Sequence, residues 1–219
     1  YSNLDVTINE LDEKVIKVWQ FLLNPNALKM AVEMIPKEVV AGQKVSELLT
    51  KEAPEGLYWY LTAQANMGTF GDYSWHDTIT KFGAASWHLL IPKLEYFLPR
   101  ISHWKLVAGD YTKLLNVEAT WFIDPPYNNK TLRPYNTNVI SSYEELGEWC
   151  KNRLGHTIVC ENSDAVWLPF SPLVMARGVR GKYHKKKFSE AIWTNNEQRC
   201  IIEKREEKRN VYDFVCTRK

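Results

Sequence analysis

The feature that most constrains the fold is a short apolar segment that ends in a carboxylate and two prolines, Thr120-Trp121-Phe122-Ile123-Asp124-Pro125-Pro126-Tyr127-Asn128. Its aromatic and β-branched residues are typical of a buried β-strand. Pro125 has no N–H to donate to a sheet, so the strand must end at Asp124. In open α/β sheets, ligands bind just outside the carboxyl ends of the strands. The segment therefore predicts an α/β fold in which Asp124 and Tyr127 border a binding site.

The residues Asp124, Pro125, Pro126 and Tyr127 are suited to chemistry at the exocyclic amine of a nucleic-acid base. The lone pair of such an amine is delocalised into the ring, which makes the amine a weak nucleophile. The Asp124 carboxylate and the Pro125 carbonyl can accept both N–H groups and draw the nitrogen towards tetrahedral geometry. The prolines stiffen the turn, and Tyr127 can stack on a base that is turned out of its helix. The alternative is a strand-end turn with a Tyr on the surface.

Asp-Pro-Pro-Tyr after an apolar strand resembles the catalytic motif of the S-adenosylmethionine-dependent amino-methyltransferases, which methylate adenine N6 or cytosine N4 in DNA. More narrowly, the chain from about Asp5 to Asn195 resembles the Dam-like adenine methyltransferases. In that family the cofactor motifs and the target-recognition region precede the catalytic motif. The resemblance implies an α/β, Rossmann-like class I methyltransferase fold, with a mostly parallel sheet and an inserted recognition region. It implies double-stranded DNA as the partner and no metal.

The first acidic turn of the chain follows a predicted strand at positions 5–12, and apolar spacing predicts a helix over positions 13–23. A carboxylate at such a strand end can hold ribose hydroxyls, which makes Glu10 a candidate with Asn9 beside it. Asp12 can equally be the N-cap of the helix. The resemblance implies that Glu10 binds the cofactor ribose. The family's Gly-rich loop for the methionine half does not precede Asp5, so we expect that it lies in an absent N-terminal segment or has been lost.

A second predicted strand, over positions 104–108, ends in Gly109-Asp110-Tyr111. A glycine lets the backbone approach a ligand, a carboxylate can accept from an adenine amino group, and a Tyr ring can lie against a base. Asp110 can instead cap an ordinary turn. Its spacing ahead of Asp124 is similar to that of the family's adenine-binding turn. The resemblance therefore implies that Asp110 and Tyr111 bind the cofactor.

The sequence also predicts the order of domains and elements. Residues 1–23 and 100–219 are expected to form the catalytic domain, and residues 24–99 an inserted helical and loop region for target recognition, with an ordinary structured insertion as the alternative. Within the insertion we predict short helices over 39–49 and 56–64, and a helix over 89–98 that stops at Pro99. A helix over 143–154, a parallel strand over 156–162 and a strand over 188–195 follow the motif.

The stretch from Arg177 to Lys187 is strongly basic and contains no acidic residue. A basic hairpin or loop of this kind suits contacts with DNA phosphates, although a merely solvated loop has the same composition. The candidate DNA-binding residues are Arg180, Lys182, Lys185, Lys186 and Lys187.

Composition limits the kinds of protein and partner that fit this sequence. The net charge of +2 is near neutral, so a nucleic-acid partner is indicated only by local patches. The four cysteines lack the spacing of a zinc site, no apolar run is long enough to cross a membrane, and no signal peptide is evident. We expect an intracellular, cytoplasmic protein of bacterial or viral origin whose oligomeric state is open. The predicted reaction is methyl transfer to adenine N6; the alternatives are a cytosine-N4 enzyme and a nucleic-acid-binding relative without catalysis.

Overall fold

The computed structural model describes residues 4–65, 77–127, 140, 142–177 and 187–195, of which 173–177 and 187–189 are described by their backbone alone. The chain is a mixed α/β protein, so the coarse prediction of the fold class is confirmed. It divides into two compact units. The first unit comprises Tyr1–Leu115 and Lys130–Ser141, and the second comprises Asn116–Asn129 and Ser142–Lys219.

The first unit is largely helical and carries a two-stranded parallel sheet. In this sheet β1 pairs with β2, and Glu10 lies opposite Ala108. Single 3₁₀ turns, Trp87–Leu89 and Tyr111–Lys113, lie before the last long helix and after β2. The elements are β1 (Thr7–Glu10), α1 (Glu13–Leu22), α2 (Ala27–Met34), α3 (Val45–Leu48), α4 (Glu55–Ala65), α5 (Lys81–Ser86), α6 (Leu90–Ile101) and β2 (Lys105–Ala108).

Apolar side chains at helical spacing build the core of the first unit. On α6, Leu90, Leu94 and Leu98 recur every four residues and are all buried. They belong to one cluster with residues of α1, α2 and α4, including Phe21 and Leu61. Burying a large apolar side chain of this kind stabilises a fold by about 1.5–3 kcal/mol. The core therefore holds the helices that flank the β1–β2 sheet.

The second unit is built on a four-stranded sheet in the order β3-β4-β6-β5. The β3–β4 pairing is parallel, and β4–β6 and β5–β6 are antiparallel. Among the described strands of both units the pairings are thus mixed rather than mostly parallel, because an antiparallel hairpin extends the β3–β4 pair. The elements are β3 (Ala119–Ile123), α7 (Tyr143–Lys151), β4 (Gly155–Asn162), β5 (Ser171–Arg177) and β6 (Lys187–Thr194).

Gly155 fixes the point at which β4 starts beside β3. Its φ is +88°, and a Cβ at this position would lie 2.2 Å from the carbonyl oxygen of Ala119. Both the backbone conformation and the space beside it therefore require glycine. The result is a β3–β4 register in which Ile123 lies opposite Val159.

β3 is an edge strand in the described sheet, and its burial alternates along the strand. Phe122 is 68% exposed, in contrast to the prediction of a buried strand, because its side chain points to the opposite face from Trp121 and Ile123. Trp121 donates from its Nε1 to the Leu154 carbonyl at 2.8 Å. One face of β3 is thus packed within the unit, and the other is open.

Most predicted elements are present within two or three residues of their expected bounds. The strands around positions 5–12, 104–108, 120–123, 156–162 and 188–195 are confirmed, as are the helices around 13–23, 56–64 and 143–154. The prediction of a helix over 39–49 is wrong in extent, since only Val45–Leu48 is helical. The prediction that Pro99 stops its helix is also wrong, because α6 continues to Ile101. Pro99 lies in the last turn, where the missing N–H costs one hydrogen bond without ending the helix.

The division into units places its boundary between Leu115 and Asn116. The predicted catalytic domain and inserted recognition region stay predictions. No helix in the described part of the chain is both long and apolar enough to cross a membrane.

Candidate functional site

The Asp-Pro-Pro-Tyr motif lies at the carboxyl end of β3, as predicted. β3 ends at Ile123, so Asp124 is the first residue beyond the sheet. The strand runs parallel to its neighbour β4, which is the arrangement that places ligands at strand ends in α/β proteins. The local sequence explains the geometry, because the prolines that follow Asp124 can donate no hydrogen bond to β4.

The Tyr127 hydroxyl donates a hydrogen bond to the Glu190 carboxylate, with 2.7 Å between the Tyr127 Oη and the Glu190 Oε2. Glu190 lies on β6, opposite Asn162 of β4. Burial raises the pKa of Tyr127, and the hydrogen bond to Glu190 and the negative charge of Asp124 raise it further. The phenol is therefore a neutral donor at physiological pH.

Tyr143 supports the second proline of the motif. Its hydroxyl donates to the Pro126 carbonyl at 2.5 Å. Tyr143 is the first residue of α7, and its ring centroid lies 5.6 Å from that of Trp167. Among the described residues, none donates to the Pro125 carbonyl.

Glu161 is a fully buried carboxylate on β4 behind the motif. Its relative exposure is 0%. It accepts from the Asn162 backbone N–H at 2.8 Å, from the Asn162 side-chain amide at 3.1 Å, and from the Trp167 Nε1 at 3.1 Å. A buried carboxylate needs such donors to offset the cost of its desolvation. Glu161 is therefore satisfied by the fold itself.

Asp124 is in the opposite situation. Among the described residues, none donates a hydrogen bond to its carboxylate. Solvent reaches the side chain, but the protein around it raises the pKa of Asp124 by desolvation, and the carboxylates of Glu190 and Glu161 add to the increase. The motif thus presents an acceptor with no donor among the described residues, in acidic surroundings that favour an incoming N–H.

The other predicted site lies in the first unit, at the carboxyl ends of β1 and β2. The two strands are parallel and in register, and the Gly109 backbone N–H donates to the Glu10 carbonyl at 2.8 Å. The Asn9 side-chain amide donates to the carbonyls of Val107 at 3.0 Å and Gly109 at 2.8 Å. The structure therefore brings Glu10 and Asp110 to adjacent strand ends. Asn9 holds the two turns together through backbone carbonyls.

The carboxylates of Glu10 and Asp12 also accept hydrogen bonds from the backbone of their own turn. The Glu10 Oε1 accepts from the N–H groups of Leu11 at 2.8 Å and Asp12 at 2.9 Å. The side chain of Asp12 accepts from Lys14 and Val15 and is the N-cap of α1, which confirms the capping alternative. Their other oxygens accept no further hydrogen bond from the described residues.

Asp110 likewise caps the 3₁₀ turn that begins at Tyr111. Its Oδ1 accepts from the Thr112 N–H at 2.8 Å and from the Thr112 hydroxyl at 2.5 Å. These hydrogen bonds lower the pKa of Asp110. The capping alternative is therefore present in the structure, and the second carboxylate oxygen is left available for a ligand.

The turn at Gly109 fits the approach of a planar ligand. Its φ is +123°, and a Cβ built there would meet nothing within 4 Å. The space beside this backbone is open, and Glu10, Asp110 and Tyr111 lie at or next to the turn. Carboxylates and an aromatic ring are thus placed beside an open stretch of backbone. We assign none of the described residues to the methionine portion of S-adenosylmethionine.

Most of the predicted DNA-binding residues, Arg180, Lys182, Lys185 and Lys186, lie outside the described residues. Lys187 is described by its backbone alone and is the first residue of β6, paired with Arg177 of β5. The antiparallel β5–β6 pairing supports the hairpin that the basic stretch predicts.

Three residues near the motif were missed as site residues by the sequence: Tyr143, Glu161 and Glu190. Glu190 begins the segment Glu190-Ala191-Ile192-Trp193-Thr194-Asn195. Its Glu-x-x-Trp-Thr-Asn pattern is similar to a strand near the end of the Dam-like enzymes, and this similarity is the signal that could have identified Glu190. The partners of Tyr143 and Glu161 depend on tertiary contacts and leave no local pattern. Neither a scan against protein-family models nor a search of curated proteins found a match for the chain.

Proposed function

We propose that the protein is an S-adenosylmethionine-dependent DNA methyltransferase that transfers a methyl group to adenine N6 of a base turned out of the helix. The observation that carries the proposal is the Asp124 carboxylate, which has no donor among the described residues and stands at the end of a parallel strand before two prolines. The Rossmann-like class I fold belongs to the same proposal. The sheet of the second unit has one parallel and two antiparallel pairings, and mixed sheets are common in α/β folds.

In the proposed reaction, Asp124 and the Pro125 carbonyl accept the two N–H groups of the target amine. Both acceptors are free of donors from the described residues. Accepting both N–H groups localises the nitrogen lone pair for attack on the methyl carbon, and the prolines hold the acceptors in place. The ring of Tyr127 stacks on the base. After transfer, the amine sheds a proton, for which the carboxylate of Asp124 is the nearest acceptor.

The first unit supplies the proposed cofactor residues. Glu10 would hold the ribose, and Asp110 and Tyr111 the adenine ring, beside the open backbone at Gly109. S-adenosylmethionine, when bound, supplies a methyl group activated by a sulfonium. The proposed DNA contacts are Lys187 and the basic residues at 180–186, whose binding should weaken as salt increases.

The test is mass spectrometry of nucleosides from unmethylated DNA that has been incubated with the protein and S-adenosylmethionine. We expect N6-methyladenine from the wild type and none from Asp124→Ala. N4-methylcytosine in place of N6-methyladenine would assign the cytosine alternative. No methylated base, together with retained DNA binding in a gel-shift assay, would overturn the enzyme and leave the non-catalytic relative.

A further inference from the structure

The ring of Tyr127 is fixed at both of its ends. Its backbone follows two prolines, whose φ angles are restricted. Its hydroxyl donates to the Glu190 carboxylate at 2.7 Å. The side chain has only two rotatable torsions, so an anchor at each end leaves the plane of the ring little freedom.

The carboxylate of Glu190 makes no other hydrogen bond among the described residues. It is half-buried on β6, in contrast to Glu161, which is fully buried and accepts hydrogen bonds from Asn162 and Trp167. Keeping a carboxylate beside Asp124 is unfavourable, because two like charges in partly desolvated positions repel. The Tyr127 hydroxyl is the one described group that Glu190 holds.

We infer that Glu190 is a positioning residue for methyl transfer, which fixes the ring of Tyr127 in the orientation that receives the target base. This inference rests on the proposed function. A ring that is already oriented loses less conformational freedom when the base stacks on it. Glu190 acts through Tyr127 and does not itself contact the base.

The experiment compares kcat and KM for DNA methylation in Glu190→Ala, Tyr127→Phe and the double variant. Tyr127→Phe keeps the ring and removes only the hydroxyl. Loss of a hydrogen bond to a charged group corresponds to about tenfold or more, so we expect each single variant to lower kcat about tenfold. Since both variants remove the same contact, the double variant should be no slower than the singles.

The matched control is Glu148→Ala, which removes a carboxylate of the same unit. Glu148 lies on α7 and pairs at the surface with Lys151. This variant should leave kcat and KM at the wild-type values. Thermal unfolding of all variants separates a loss of kcat from a loss of folded protein.

The outcomes separate the two hypotheses. Methylation by the wild type with an unchanged kcat in Glu190→Ala would overturn the positioning role alone. The same holds if the effects of the two single variants multiply in the double variant, since Glu190 would then act independently of Tyr127. No methylated base from the wild type would overturn the proposed function, and the positioning role with it.

Discussion

Asp110 and Asp124 both follow a parallel strand at its carboxyl end, yet their surroundings are opposite. The carboxylate of Asp110, in the first unit, accepts two hydrogen bonds from Thr112, which lower its pKa. The carboxylate of Asp124, in the second unit, accepts none from the described residues, and its pKa is raised by desolvation and by Glu190 and Glu161. Position on a strand therefore does not decide the role of a carboxylate.

The difference shows what each turn contributes. Asp110 stabilises the turn that it begins, and its remaining oxygen is available to a ligand. The carboxylate of Asp124 accepts no hydrogen bond from the described residues, whereas the polar side chains around it make hydrogen bonds within the unit. Glu161 takes its donors from Asn162 and Trp167, and Tyr143 donates to Pro126. A carboxylate that costs stability and has no internal partner is typical of a functional group.

Removing the Asp124 carboxylate should have the largest effect on function. Loss of one preorganised group at a reacting centre costs on the order of 10²–10³ in rate, so we expect Asp124→Asn to lower methylation by at least about a hundredfold. Nucleoside mass spectrometry measures this change. Folding should be intact, because no hydrogen bond within the described residues is lost.

The control for this prediction is Glu148→Gln, which removes an exposed carboxylate of the same unit and should leave activity unchanged. Full methylation by Asp124→Asn would show that its unpartnered carboxylate has no part in the reaction. The contrast with Asp110 would then carry no functional meaning.

Two glycines allow the same comparison for the backbone. Gly155→Ala places a Cβ 2.2 Å from the Ala119 carbonyl oxygen at a φ of +88°. The left-handed conformation and the overpacking together should lower the free energy of unfolding by about 2–4 kcal/mol. Gly109→Ala meets nothing within 4 Å, although its φ is +123°. Its loss should be smaller, about 1–2 kcal/mol, because only the conformational strain applies.

Chemical denaturation followed by circular dichroism measures both variants. A loss of only about 1–2 kcal/mol in Gly155→Ala would show that the close approach at Gly155 is relieved by movement of β3. A loss of about 2–4 kcal/mol in Gly109→Ala would mean that the open space beside the first unit's turn is absent in solution.

The sequence predicted the local elements well because their causes are local. The prolines after Asp124 end β3, and the helical spacing of apolar residues gives α1 and α6. The mixed pairing of the sheets could not be predicted in the same way. It depends on β6 lying antiparallel between β4 and β5, and this is a contact between distant segments.

Of the candidate site around Asp124, the sequence identified only the residues of the Asp-Pro-Pro-Tyr motif. Asp124 and Tyr127 were found because they are adjacent in sequence and belong to a recognisable motif. Glu190 meets Tyr127 across 63 positions of sequence, so no spacing rule connects them. Conversely, the capping roles of Asp12 and Asp110 could be stated in advance, because a cap needs only the next few residues.

The two aspartates should change stability in opposite directions. Asp110→Ala removes a cap and should lower the free energy of unfolding by about 0.5–1 kcal/mol. Asp124→Asn removes a disfavoured charge and should raise the free energy of unfolding by less than about 1 kcal/mol, because solvent partly screens the group. Thermal unfolding at about pH 7 measures both, and a change of the same sign in the two variants would contradict the comparison.

The pH dependence of these stability changes follows from the two pKa shifts. Asp110 has a lowered pKa in the folded protein, so its contribution is present above the ordinary Asp pKa of about 3.9 and is lost as pH falls through the folded value. Asp124 has a raised pKa, so its penalty is present above the folded value and disappears below about 3.9. As the pH falls, Asp124→Asn should approach wild-type stability below about 3.9, and Asp110→Ala only below the lowered pKa of Asp110.

The smallest expected effect is a shift in the pH profile of methylation. The proposed reaction needs Asp124 as a carboxylate, and the raised pKa of Asp124 should place the loss of activity at a higher pH than for an ordinary Asp, whose pKa is about 3.9. Glu190→Gln removes a neighbouring negative charge and should move this loss to lower pH. Tyr127→Phe, which keeps both carboxylates, should lower kcat without moving the profile. Measuring kcat of the wild type and both variants between about pH 4 and pH 8 tests this prediction. If the loss of kcat at low pH shifted equally in both variants, it would depend on the Tyr127–Glu190 hydrogen bond rather than on the charge beside Asp124.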